Sequence, residues 1–298
     1  MDDINSSVPD HNSQKLSRWM FWLWIYTLIV ILWGAWVRVS HSGDGCGDHW
    51  PLCAGQFIPS FEQKKTWIEY THRLMSGVYG IAVIFLFIKI YKRSFTTIIK
   101  KLNFLFIFFM LSEALLGALL VKGQLVTEND SFLRLFVMSL HQLNSFMLTG
   151  VTYLLFLTLK SYPKDLKMTD KKLALLFVIL PITGAIAALS TTLFPSVSVW
   201  NGILQDFSGQ SHLFIRLRIL HPILAMIIGL FFIIWLQMKN QTRLVIEFSV
   251  AMFIGLLTLV TLSPTYLKLF HLAMAHYLWS RLIKFQMVNS ANSQKIKN

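Results

Sequence analysis

Charge is scarce in this chain: charged residues make up 14% of the 298, where a soluble protein carries about 25%. That deficit excludes an ordinary soluble domain. Acid is scarcer still, with 14 Asp and Glu against 27 Lys and Arg. Cysteine is limited to Cys46 and Cys53. Their spacing is too wide for a CxxC redox motif and does not resemble a zinc knuckle. A cleavable signal peptide is also not the expectation. The first apolar run is too long for one and ends in WVRVSHSG rather than in a small-residue cleavage site.

What remains is apolar. Hydrophobic residues reach 55% and the mean hydropathy is +0.57. The unit to count is therefore the membrane-spanning helix, about 20 apolar residues long. Eight runs qualify: 19–39, 68–90, 102–121, 133–159, 172–194, 213–238, 244–262 and 266–285. Only Ser263, Pro264 and Thr265 separate the last two, which predicts a tight helical hairpin. The fold class expected is an all-α membrane protein.

The net charge is +13, and its distribution decides what it means. Eighteen of the basic residues fall on one side of the eight runs and nine on the other, several of the nine at helix mouths. The positive-inside rule then puts both termini in the cytoplasm. The charge reads as topology signal in a lipid bilayer, not as a nucleic-acid surface. The expected location is a bacterial-type cell membrane, crossed many times.

The chain repeats itself. GAWVRVSHS from Gly34 is matched by GAIAALSTT from Gly184, and each closes a run. His72 follows Gly34 by 38 residues, and His221 follows Gly184 by 37. His141 lies in the fourth run and His271 in the eighth. The halves 1–165 and 166–298 therefore read as two pseudo-symmetric four-helix bundles related by an axis along the membrane normal.

Ionisable residues inside a membrane are costly and usually functional. His72, His141, His221 and His271 each fall about four to eight residues into an even-numbered run, at similar depth for a rise of 1.5 Å per residue. Two such histidines per half is the geometry of bis-histidine haem ligation between facing helices. A bare metal site would recruit carboxylates or thiols nearby, and the second half offers no such cluster. His276 competes with His271. The two stand about 140° apart on one helix, and His271 matches the depth of the others. Arg73, Arg216 and Arg218 stand where haem propionates need cations.

The halves differ. IEYTHRLMSG places Glu69 three residues before His72, on the same helix face; the stretch before His221 has no carboxylate. Glu69 reads either as a base or charge stabiliser over the first haem, or as a helix-start residue paired with Arg73. Cys46 and Cys53, in the outer loop GDGCGDHWPLC, read either as a disulfide staple or as a redox pair feeding the first haem. Glu113, the one acid in the middle of a run, bonds neighbouring helices or takes part in proton delivery.

At these residues the sequence resembles the haem A synthase family. GAWVRVSHSGDGCGDHWPLCAGQFIP is similar to that family's first helix end and cysteine loop, EYTHRLMSG to its E-x-x-H-R motif, and RILHPILA to its third histidine motif. HQLNSF and LFHLAMAHYLW resemble its fourth- and eighth-helix segments. The resemblance covers nearly the whole chain. It implies substrate haem O held by His72 and His141 in the first half, and haem B held by His221 and His271 in the second. It implies Glu69 as the catalytic carboxylate. The implied reaction oxidises a ring methyl to a formyl through successive hydroxylations, with electrons from a membrane donor such as a quinol. A haem O synthase is the implied partner. Some members carry a second cysteine pair, which TTLFPSVSVWNG lacks. The rival reading is a bis-histidine dihaem electron carrier similar to cytochrome b.

Overall fold

The computed structural model describes residues 11–49, 52–60, 63–161 and 171–295. Trp50 and Pro51 of the cysteine loop, Lys164, Lys167, Lys297 and the expected boundary at 165–166 lie outside those residues. The described chain is built of helices joined by loops, the longest of which carries the cysteines: α1 (His11–Val39), α2 (Lys64–Tyr91), α3 (Thr97–Lys122), α4 (Phe132–Ser161), α5 (Lys171–Leu193), α6 (Val199–Phe207), α7 (Leu213–Arg218), α8 (Leu220–Met238), α9 (Thr242–Val260) and α10 (Thr265–Lys295). The protein is an all-α membrane protein. Among the described residues, seven stretches are long and apolar enough to cross a membrane. They are α1 to α5, α9, and α7 with α8 taken together. The eighth expected run lies within α10, whose composition is more polar because Lys268, Arg281 and Lys284 fall in it.

The run 213–238 is split at Ile219, which joins α7 to α8. Pro222 is the physical reason. It has no N–H to give the Arg218 carbonyl, and its ring crowds that carbonyl. Ile219 keeps φ −63° and ψ −24°, so the chain stays helical in direction across the break. Pro181 sits ten residues into α5 and by the same logic leaves the Phe177 carbonyl without its i+4 donor.

Two cores form. One packs Met20, Val83, Phe106 and Leu155 from α1 to α4. The other packs Phe177, Phe232, Phe248 and Leu282 from α5, α8, α9 and α10, and reaches over to Phe146 of α4. The seam between them is built from small residues and hydrogen bonds, as lipid-embedded helices require in place of a hydrophobic drive. Trp279 of α10 donates its indole N–H to the Phe146 carbonyl at 2.9 Å. Gly150, one turn on from Phe146, makes this possible: a Cβ there would stand 2.5 Å from the indole nitrogen. Trp24 of α1 donates to the Ser280 hydroxyl at 3.1 Å. These contacts lock α10 against α1 and α4, and so fix where the histidines of the two cores sit.

Candidate functional site

Each of the four histidines rests on a glycine of the neighbouring helix. A Cβ on Gly34 (α1) would lie 2.8 Å from the His72 ring, on Gly184 (α5) 3.2 Å from His221, and on Gly255 (α9) 2.9 Å from His271. On Gly117 (α3) it would lie 3.8 Å from His141. The missing side chains let the imidazoles approach the facing helix axis and limit their rotation. All four histidines remain half-buried, open enough to meet a ligand. Among the described residues, no hydrogen bond engages any of their four Nε2 atoms.

In α8 and α10 the two rings face one another. The centres of His221 and His271 are 6.2 Å apart with planes at 73°. Two imidazoles on opposite sides of one metal, each bonded at about 2 Å, have ring centres about 6 Å apart. The ring of His221 is also held by a hydroxyl. The Thr183 hydroxyl lies 3.1 Å from the Leu180 carbonyl and 3.1 Å from His221 Nδ1. If the hydroxyl gives its hydrogen to that carbonyl, it can accept Nδ1–H and leave the Nε2 lone pair free to bind a metal. Metal-binding histidines are commonly oriented in this way. His72 and His141 lie within electrostatic reach of one another. Glu113 of α3 stands 3.4 Å from Nδ1 of His141.

His276 is placed differently. It is 1% exposed, stacked on Phe146 with ring centres 3.9 Å apart, and its Nδ1 lies 3.0 Å from the Thr149 hydroxyl. It packs the seam between the two cores and does not face His221.

Beside the His221 and His271 pair opens a cavity of about 640 Å³, walled mainly by apolar side chains of α5, α8, α9 and α10. This is the size and character of a cofactor pocket. Its charged lining includes Arg38, Arg218 and Lys268. Arg218 is already committed: Nε donates to Asp206 at 2.5 Å, Nη2 to Ser196 Oγ and the Gly202 carbonyl, and Nη1 to the Phe194 carbonyl. Burial nonetheless pushes the Asp206 carboxyl up, against the opposing pull of Arg218. Arg216 is exposed and does not line the cavity. Among the described residues the less committed cations are Arg38, whose buried Nε has no hydrogen-bond partner, and Lys268, whose hydrogen bond is to Thr192 at 3.3 Å. Neither stood out in the sequence. Arg38 belongs to α1 of the other core, and only the packing of α1 against α10 brings it here.

The cysteine loop is pinned on the start of α2. Cys46 and Cys53 form a disulfide and are 0% and 1% exposed. Glu69, itself 3% exposed, accepts the Cys46 N–H at 2.8 Å on one oxygen and the Arg73 guanidinium at 2.6 and 3.1 Å on the other. Arg73 continues to the carbonyls of Gly47, His49 and Leu52. Gly45 is held against the Lys65 backbone so closely that a Cβ would meet it at 2.6 Å. The donors of Arg73 are thus spent on the loop, and both oxygens of Glu69 have partners.

The fold defines a helical membrane protein with histidines paired on facing helices, and comparison with known sequences narrows the class. Residues 17–283 match the family described as cytochrome oxidase assembly protein. The chain belongs to this family, that of the haem A synthases. It is similar to a protein named Protoheme IX farnesyltransferase from Thermus thermophilus, 30% identical over 286 residues, which are 89% of this chain and 47% of that protein. It is also similar to proteins named Heme A synthase from Bacillus cereus and Bacillus anthracis, 44% identical over 118 residues, 37% of each chain. The chain therefore spans about half the length of the Thermus relatives it matches.

Proposed function

We propose that this chain is a haem A synthase. It takes haem O as substrate in the half 1–165 and oxidises a ring methyl to a formyl by two successive hydroxylations, each inserting one oxygen atom of dioxygen with two electrons from the donor while the other atom leaves as water, after which the geminal diol loses water. His221 and His271 in the half 166–298 would hold haem B, which would supply an electron path from a membrane donor such as a quinol. The observation that carries the reading is the set of four glycine-seated, half-buried histidines, with His221 and His271 at a two-ligand distance. Among the described residues no three His, Cys, Asp or Glu converge on a metal position. A pair of imidazoles supplies only two ligands, so an iron there needs a macrocycle to supply the rest. Family membership supports the same conclusion.

The residues divide the work as follows. His221 and His271 hold haem B, and His72 and His141 hold the substrate. Bound haem supplies the redox chemistry. Arg38 and Lys268 neutralise the propionates of the second haem, with Arg218 shaping the wall. Glu69, one turn before His72, is the catalytic carboxylate, and Arg73 pairs with it while holding the described part of the disulfide loop. A farnesyltransferase acting on haem B is the partner, because that enzyme class makes haem O. The Thermus relative supports this: its printed name describes prenyl transfer, and this chain accounts for less than half of it. Both termini lie in the cytoplasm.

One observation favours a dihaem electron carrier instead: both oxygens of Glu69 are engaged within the chain, as a purely structural carboxylate would be. The two readings part in cells that make haem O but no haem A. With the native chain, haem extracts should contain haem A; with Glu69→Ala they should lack it or stop at a hydroxylated haem. Haem B alone in both extracts would leave the electron carrier standing.

A further inference from the structure

We propose that Glu113 is a positioning residue for His141, making the first histidine pair electron-rich in a way the second is not; the inference rests on the haem reading above. Glu113 lies one helical turn before Gly117, the glycine on which His141 is seated. Its carboxylate is held from α4. Oε2 accepts Asn144 Nδ2 at 2.6 Å, and Oε1 accepts the Ser145 hydroxyl. Asn144 and Ser145 follow His141 by three and four residues, so they share its helix face. The same Oε1 stands 3.4 Å from His141 Nδ1. That is an ion-pair distance, and Nδ1 has no partner of full hydrogen-bond geometry.

Among the described residues the second half has no carboxylate placed like this one. Counting from its own pair, the residue four before Gly255 is Ala251, and those three and four after His271 are Met274 and Ala275. Every polar member of the cluster is replaced by an apolar one. His221 is served by the neutral Thr183 hydroxyl. Among the described residues His72 has no hydrogen-bond partner on Nδ1, and His271 meets the uncharged Ala251 backbone.

The chemistry follows from the charge. A carboxylate facing Nδ1 holds the ring proton there and leaves Nε2 as the donor nitrogen. It also raises the basicity of Nε2. In a low-dielectric interior this influence is weakly screened. An iron bound through His141 is thereby stabilised in its oxidised state relative to one bound through His221 and His271. A residue needed only to tie α3 to α4 would not have to be anionic: a glutamine could accept from Asn144 and pair with Ser145. Placing an acid there is costly in a membrane and points to function.

The test is an optical redox titration of the full-length protein carrying both haems, compared with Glu113→Gln and Glu113→Asp. Glu113→Gln is expected to raise one of the two midpoint potentials and leave the other in place. The component that moves should be the one lost in His141→Ala, and Glu113→Asp, which keeps the charge, should fall between. If Glu113→Gln does not fold, Asn144→Ala keeps the carboxylate but removes one clamp, and should move the same component upward by less. Two bound haems whose potentials ignore all these changes would overturn the inference while leaving the haem reading intact. A native chain that takes up no haem in the first half would overturn both.

Discussion

Gly255 of α9 faces His271 of α10 so closely that a Cβ on the glycine would stand 2.9 Å from the imidazole. The same relationship joins Gly34 to His72 at 2.8 Å and Gly184 to His221 at 3.2 Å, and loosens to 3.8 Å between Gly117 and His141. The spread makes a graded experiment.

Alanine at Gly34 or Gly255 forces the facing ring out of place. Overpacking of this kind costs about 1–3 kcal/mol, or roughly five- to a hundredfold in haem retention. Gly184→Ala should act more mildly, and Gly117→Ala should be near native. Haem content per purified chain is the readout, with each harmful variant losing one haem and keeping the other.

His271 and His276 separate cleanly by substitution. His271→Ala should remove one haem. His276→Leu should keep both haem spectra and lower thermal stability by no more than about 2 kcal/mol. The cost stays small because the Thr149 hydroxyl keeps its bond to the Ser145 carbonyl at 2.8 Å. Loss of a haem signal in His276→Leu would contradict the placement of that residue in the seam.

Glu69→Gln leaves the buried Arg73 charge without its partner. Breaking such a pair costs about 3–5 kcal/mol, and the strain falls on the loop that Arg73 holds. Limited proteolysis between residues 43 and 56 should accelerate. Cys46→Ser with Cys53→Ser should also free the loop, by about 2.5 kcal/mol for a closed segment this short. A loop equally resistant in both variants would mean that neither Glu69 nor the disulfide restrains it.

Arg38→Gln and Lys268→Met each remove a cation from the cavity wall. Losing a charged hydrogen bond of about 1.5–3 kcal/mol should weaken retention of one haem by roughly ten- to a hundredfold, without altering its low-spin ligand spectrum. Arg216→Gln, at an exposed position away from the cavity, should change retention little. Haem loss on dilution, followed optically, distinguishes the three.

The amino-acid sequence alone determines that this is a helical membrane protein. It also sets the depth of four histidines, because helical rise converts residue number directly into position along an axis. The disulfide loop was legible as a pair of cysteines, and Glu69 as a carboxylate one turn from His72. What the sequence left open was rotation and lateral contact. Number along a helix does not say which neighbour a side chain meets across the gap. Only the tertiary structure therefore decided that His276 turns into the seam against Phe146 and that Arg73 and Arg218 spend their donors inside the chain. It alone brought Arg38 from α1 to a cavity walled by α5, α8, α9 and α10. These outcomes depend on small residues such as Gly150 and Gly255, which set how near two helix axes come and so which side chains can touch.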